Sequence, residues 1–362
     1  MSRTDPLLVD LTRKLLRDVA DPQTRRGGGG KGDWRAAAWQ ALEGSGLTRA
    51  WVPESAGGSG AGIADGFEIL TLAGGVALDV PLAETLLAGW LLATAGLTVP
   101  DGKLAPAGTD DDSVRLDADG RLSGRAAAVP FARDVDRLVV LGQRATGEAF
   151  VALVDRAACT VRARDNLAGE PRDTVIFDGV TPTALATARA DLSGRLLAMG
   201  AVARACQMAG ALQGLLTRSV AYVGERVAFD RPIGKFQAIQ HALARLAGET
   251  AIALAASGSA ADALADAAPD TASSGTGDVD GVFLEVASAK IRVGEAAAAG
   301  AAIAHQVHGA IGFSTEHPLH LFTQRLWAWR DDFGSESAWA VRLGTHVAKR
   351  GADALWPMVS AR

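Results

Sequence analysis

Two stretches of helical apolar periodicity, residues 192–223 and 237–264, lie close together in the chain, and that pairing constrains the fold more than any other feature. In the second, Ile239, Leu243 and Leu246 fall on one face, and the pattern continues through Ile252. The segment between them breaks the helix. Pro232 cannot continue the helical ladder, and Gly234 frees the backbone to turn. Residues 226–241 read RVAFDRPIGKFQAIQH, with Arg226 and Gln237 as polar groups flanking the turn and Phe229 and Phe236 as anchors between them. Residues 281–307 and 336–352 repeat the helical pattern, so a four-helix arrangement is expected, with the small, polar stretch 269–280 as a connector.

The rest of the chain divides by character. Residues 5–20 place Leu7, Leu8, Leu11, Leu15, Leu16 and Val19 at helical spacing. The Gly27–Gly30 run after them reads as a flexible loop, and Asp33 is placed to cap a helix running through Trp39 to Leu42. The glycines at 57, 58 and 60 do not fit a G-x-G-x-x-G fingerprint, so dinucleotide binding there is rejected. Helical segments follow at 63–78 and 81–95. From Leu104 to Pro182 short β-type runs take over, at 113–116, 122–126, 137–142, 149–154, 159–162 and 174–177, with Asp119-Gly120 as a hairpin turn. The expected class is therefore α+β and mainly helical. An N-terminal helical domain (1–103) precedes a small middle β-barrel or sandwich, antiparallel (104–185), and a C-terminal four-helix bundle (186–362).

Composition closes off several functions. At 362 residues the chain has room for two or three domains and a large core. A net charge of −5 argues against nucleic acid or an anionic membrane surface as the main partner. The run 192–223 carries Arg195, Arg204 and Arg218, and the run 86–97 is too short to span a bilayer, so no membrane insertion is expected. The N-terminus lacks the apolar run of a signal peptide, and the two cysteines, Cys159 and Cys206, have no metal-ligand spacing; a reduced, cytoplasmic chain is expected. His305 and His308, like His317 and His320, have i, i+3 spacing without an acid or cysteine in a ligand pattern, so no metal is expected.

The pattern R-x-x-F-x-x-x-I-x-x-F-Q-x-x-Q-H that starts at Arg226 resembles the sequence between two C-terminal-domain helices of the acyl-CoA dehydrogenase family. Residues 306–316, reading QVHGAIGFSTE, resemble a second signature of that family, in the right order and eighty positions downstream of Arg226. The order of helices, small β domain and helical bundle matches as well, so the resemblance covers nearly the whole chain. It implies FAD as cofactor, an acyl-CoA thioester as substrate, dehydrogenation between Cα and Cβ, and electron-transferring flavoprotein as acceptor. Arg226, Phe229 and Gln237 match residues that contact the FAD of a neighbouring subunit, where an arginine fork can pair with a pyrophosphate oxygen. Gln306, Val307, His308, Gly309 and Ala310 match the segment along the adenosine half of that FAD, with Ala310 in place of a second glycine. Ser335 and Ser337 match positions near the FAD.

Two departures from the family shape the expectation. The T-E-x-G-x-G-S-D stretch that cradles the flavin ring has no counterpart, and where W-x-[ST] belongs the chain reads Ala126-Ala127-Ala128-Val129-Pro130-Phe131. Pro130 has no backbone N–H to offer. The second departure is the catalytic base. Many members carry a glutamate twenty-one residues after the glycine matching Gly312, and that count lands on Phe333. The alternative position, in the first long helix of the C-terminal domain, falls in residues 197–202, which hold no acid. Asp331 and Asp332 are the nearest substitutes, although a displaced carboxylate about 1 Å out of place can cost roughly 10²-fold. Some bacterial members form α2β2 heterotetramers, notably on steroid-derived CoA thioesters, in which one subunit holds base and flavin cradle and a homologous partner completes the FAD site. The chain resembles that partner. The alternatives are a self-sufficient homotetrameric acyl-CoA dehydrogenase or oxidase using Asp332 or Asp331 as base, and a scaffold subunit that binds no flavin.

Overall fold

Buried apolar stripes organise the opening helices of the computed structural model, which describes residues 4–20, 34–108, 114–267 and 279–360. The Gly27–Gly30 run, Asp33, Ser113 and most of the 269–280 connector lie outside those residues. Helix α1 (Pro6–Ala20) buries Leu16 and Ala20, and α2 (Trp34–Gly44) buries Ala38, Trp39 and Leu42. Asp65 opens α3 (Ile63–Gly75). Its carboxylate accepts the Gly62 N–H at 2.9 Å and the Asp5 N–H at 2.8 Å, which satisfies helix-end donors and ties the start of α1 to α3. Helix α4 (Leu82–Thr94) is buried from Leu82 through Leu92, Glu84 included.

The middle of the chain forms one eight-stranded sheet: β1 (Leu104–Ala107), β2 (Arg115–Leu116), β3 (Leu122–Pro130), β4 (Arg137–Arg144), β5 (Ala149–Asp155), β6 (Thr160–Arg162), β7 (Arg172–Val180) and β8 (Ala184–Thr187). The order is β6-β7-β3-β2-β4-β5-β8, with β1 on β4. The expected purely antiparallel arrangement is corrected here, because β1 and β2 both run parallel to β4, at opposite ends of it. Strands β1 and β8 gave no alternating signal: all four residues of β1 are buried and β8 is half-buried along most of its length. Thr85 Oγ1 bonds both the N–H and the carbonyl of Leu104 at 3.1 Å, fastening α4 to this sheet. Strand β3 bulges between Ala126 and Val129, with Ala128 at φ 54°.

Helix α5 (Leu192–Glu225) runs through the molecule, with 34 residues and an almost unbroken buried stretch from Ala198 to Leu212. It crosses α3 with backbones nearly touching. A Cβ on Gly210 would overlap the Thr71 carbonyl, and one on Gly74 would overlap the Gln207 carbonyl. Gly210→Ala is therefore expected to lower stability by about 1–3 kcal/mol, read from the urea midpoint, since neither backbone can yield.

After α5 the chain makes a small hairpin, β9 (Val227–Ala228) and β10 (Arg231–Pro232), whose turn residues Phe229 and Asp230 have φ of 52° and 59°. Helices α6 (Gln237–Asp266), α7 (Val279–His308), α8 (Leu319–Trp329), α9 (Glu336–Arg350) and α10 (Leu355–Ser360) follow. Helices α5, α6, α7 and α9 are the four expected. Helix α8 was not, yet Phe322, Leu326 and Trp329 are buried in the same core as Leu212 and Leu246. Among the described residues no helix is long and apolar enough to cross a membrane.

Candidate functional site

The loop from Arg330 to Ser335 carries the position where a base is expected, and Gly200 on α5 lies within 197–202, the stretch matching the alternative position. The fold brings the two together. A Cβ on Gly200 would overlap the Phe333 ring, so both routes to a glutamate converge on one point, and an aromatic ring fills it. Phe333 has φ 54°, a conformation that bulky residues rarely adopt. Its carbonyl is held by Trp339 Nε1 at 2.9 Å.

Asp332, the residue before Phe333, is buried. Its carboxylate accepts Arg204 Nε at 2.8 Å and pairs with Arg172. Arg204 is itself buried: Nη2 donates to Glu84 at 2.5 Å, Nη1 to Gln207 Oε1 at 2.6 Å, and the guanidinium lies 5.7 Å from the Trp329 ring centre. Burial, and then the Arg204 charge, bring Arg172 down to about 10, which leaves it charged at neutral pH. Next to it Glu170 accepts Arg325 Nε at 2.8 Å and Trp329 Nε1 at 2.9 Å. The network joins α4, α5, β7, α8 and the Phe333 loop. A carboxylate so engaged is badly placed to take a proton from a substrate. Asp331, the other candidate, is exposed.

Beside Phe333 lies a cleft that includes the segment standing where the W-x-[ST] of the flavin cradle is expected. Gly108, the bulged Ala127–Pro130 segment, Arg172, Asp332 and Phe333 line it, and its cavity volume is ≈ 50 Å³. That is room for a few water molecules, against the roughly 300–1,000 Å³ of a small-molecule site. With Pro130 unable to donate and Phe333 at the base position, these residues do not fit an isoalloxazine ring.

The outer surface differs. Arg226, Phe229 and Gln237 are all exposed; Phe229 is 88% exposed and meets only the edge of Phe236, with ring centres 6.1 Å apart, so it is not a core anchor. At the end of α7, Gln306, Gly309 and Ala310 are exposed while Val307 and His308 are buried. Those two side chains therefore hold the helix end in place and present no surface to a ligand. The two signature segments meet through Tyr222, four residues before Arg226. Its ring stacks on His308 at 4.5 Å, and its hydroxyl donates to the His308 carbonyl at 3.3 Å. His308 Nδ1 lies 2.8 Å from the Ala304 carbonyl, and burial lowers the proton affinity of the ring. Ser335 caps α9, accepting the Ala338 N–H at 3.3 Å, and its hydroxyl lies 3.0 Å from that of Ser337. Sequence reasoning passed over Tyr222, Glu84, Arg172 and the pairing role of Arg204. One signal was available: an arginine in the middle of an apolar helix needs a buried partner.

A helical unit, a small sheet and a helical bundle with a signature turn at its edge define a flavoenzyme-like architecture. Residues 191–330 match the family model described as acyl-CoA dehydrogenase, C-terminal domain. The acyl-CoA dehydrogenase IpdE2 of Mycolicibacterium smegmatis is 28% identical over 335 residues, 90% of this chain and 93% of that protein. The acyl-CoA dehydrogenase FadE34 of Mycobacterium tuberculosis is 29% identical over 320 residues, 85% of this chain and 42% of that protein. Among solved structures, the ChsE4–ChsE5 complex from Mycobacterium tuberculosis superposes with a TM-score of 0.80 at 23% identity, covering 95% of this chain and 97% of that one. A variant of the Tcur3481–Tcur3483 steroid ACAD gives 0.79 at 25%, covering 94% and 97%. Residues 191–330 thus carry an acyl-CoA dehydrogenase C-terminal domain, and the relatives that span most of the chain are acyl-CoA dehydrogenases, a class of oxidoreductases.

Proposed function

We propose that this chain is the base-lacking subunit of a heteromeric acyl-CoA dehydrogenase and completes the FAD site of a homologous, base-carrying neighbour. The observation that carries this reading is the Phe333 ring seated against Gly200, which leaves no carboxylate at either base position. α,β-Dehydrogenation needs a carboxylate to remove the α-proton, donors to hold the thioester oxygen, and a hydride acceptor. FAD, when bound, supplies the acceptor. Arg226 contributes a fork for a pyrophosphate oxygen, Gln237 and Gln306 contribute amides, and the exposed turn at Gly309 and Ala310 allows close backbone approach. Phe229 offers an exposed ring beside them, and Ser335 and Ser337 offer hydroxyls. An α2β2 assembly acting in the cytoplasm on a steroid-derived CoA thioester, with electron-transferring flavoprotein as acceptor, is the form we favour. The similarity to the Tcur3481–Tcur3483 steroid ACAD supports the partner and the substrate class. The three units 1–103, 104–185 and 186–362 are its proposed domains, the second boundary falling within β8.

The test is the visible absorbance of the chain purified alone and after co-expression with a homologous subunit that carries a glutamate before glycine at the base position. Colourless alone, and about one FAD per pair of chains together, is the expected result. One FAD per chain in the isolated protein would overturn the reading and make Asp331 and Asp332 the residues to mutate.

A further inference from the structure

Lys290 on α7 is among the largest fully buried side chains of the molecule, and nothing in the proposed function uses it. Its Nζ donates to the carbonyls of Arg330 at 2.6 Å and Gly334 at 2.7 Å, the two residues that bracket Asp331, Asp332 and Phe333. Other parts of this loop are held as well. Arg204 and Arg172 pair with Asp332, and Trp339 Nε1 bonds the Phe333 carbonyl. Phe333 and Gly334 both sit at positive φ, 54° and 92°, so the loop is a strained turn that persists only where its surroundings enforce it.

We propose that Lys290 is a positioning residue, a two-donor clamp that sets the 330–334 turn and hence the start of α9 at Ser335. The stoichiometry of the bonds fits an uncharged amine, which has two N–H groups for two carbonyls, whereas an ammonium adds a third that needs a further acceptor. The charged groups around it come from α9, α5 and the loop itself. Glu336 on α9 and Asp331 in the loop favour the proton, while Arg204 on α5 and Arg330 after α8 oppose it. Burial outweighs them and brings the amine from 10.5 down to about 7. The folded chain therefore gives up a proton that the unfolded chain keeps between about pH 7 and pH 10.5, and this group makes stability rise with pH across that window.

The test uses hydrogen exchange of the loop and the first turn of α9 in the FAD-free chain from pH 6 to pH 9, corrected for intrinsic rates. The clamp predicts protection that rises with pH through neutrality. In Lys290→Met it predicts protection lower by roughly ten-fold and independent of pH. A Lys290→Met loop as protected as the wild type would overturn the clamp, and so would Lys290→Met protection that is lost equally throughout the chain rather than at this loop and the first turn of α9. A further readout, FAD affinity of the assembled complex, rests on the proposed function. A loosened loop with unchanged affinity supports the clamp and removes Ser335 and Ser337 from the cofactor site. A loosened loop with weakened affinity supports both.

Discussion

Arg204→Met is expected to destabilise the chain by about 3–5 kcal/mol, because it leaves the buried Glu84 without its ion pair and takes one of two arginines from the buried Asp332. Glu84 and Asp332 are 3% and 2% exposed, so neither can recover the lost bonds from solvent. Arg172 remains beside Asp332, but Glu84 loses its ion pair altogether. The methionine keeps the apolar stem but not the guanidinium that lies over Trp329, so the loss combines uncompensated charge with a smaller packing contribution. Urea unfolding of the FAD-free chain measures it as a lower midpoint at unchanged slope. A loss below about 1 kcal/mol would mean that the network is not holding these elements together. Replacing Glu84, Arg204 and Asp332 together by leucine or methionine is expected to recover most of the stability, since the cost lies in uncompensated charge.

Arg226→Ala should have a comparably large effect, but only in the assembled protein. Arg226 is exposed and forms none of the ion pairs seen among the described residues, so the isolated chain should fold and unfold as the wild type does. In the complex the same residue would face a desolvated anion, and truncating one partner of such a pair costs about 2–5 kcal/mol. That corresponds to FAD affinity weaker by at least roughly 30-fold, read as flavin fluorescence on titration and as flavin content after gel filtration. Arg226→Lys should fall between, because a point charge cannot reproduce the fork. Unchanged affinity in Arg226→Ala would favour a scaffold subunit without a role at the cofactor.

The exposed turn and helix end proposed to face the cofactor were legible as segments because their pieces are local. Arg226, Phe229 and Gln237 are spaced by one turn and its flanks, and Gly309, with φ 64°, follows the last residue of α7. The same pattern could not separate Gln306, which is exposed, from its neighbours Val307 and His308, which are buried, because that depends on which side of α7 faces Tyr222. Counting residues led to Phe333 and to the acid-free stretch 197–202, but could not reveal that the two meet.

The chain alone determined the features that periodicity and turn chemistry set: the long helices, the interrupted β region between them, and the break at Pro232 and Gly234. It also determined an absence, since no spacing puts a carboxylate at either base position. The tertiary structure decided everything that depends on contacts between distant residues. Glu84, Arg172, Arg204 and Asp332 lie on four separate segments, and only packing makes them one network. Packing likewise turned a missing glutamate into a filled site, because the Phe333 ring occupies space that Gly200 leaves open. A side chain's partner across the fold is set by the crossing of α5 with its neighbours, and no periodicity along the chain encodes that geometry.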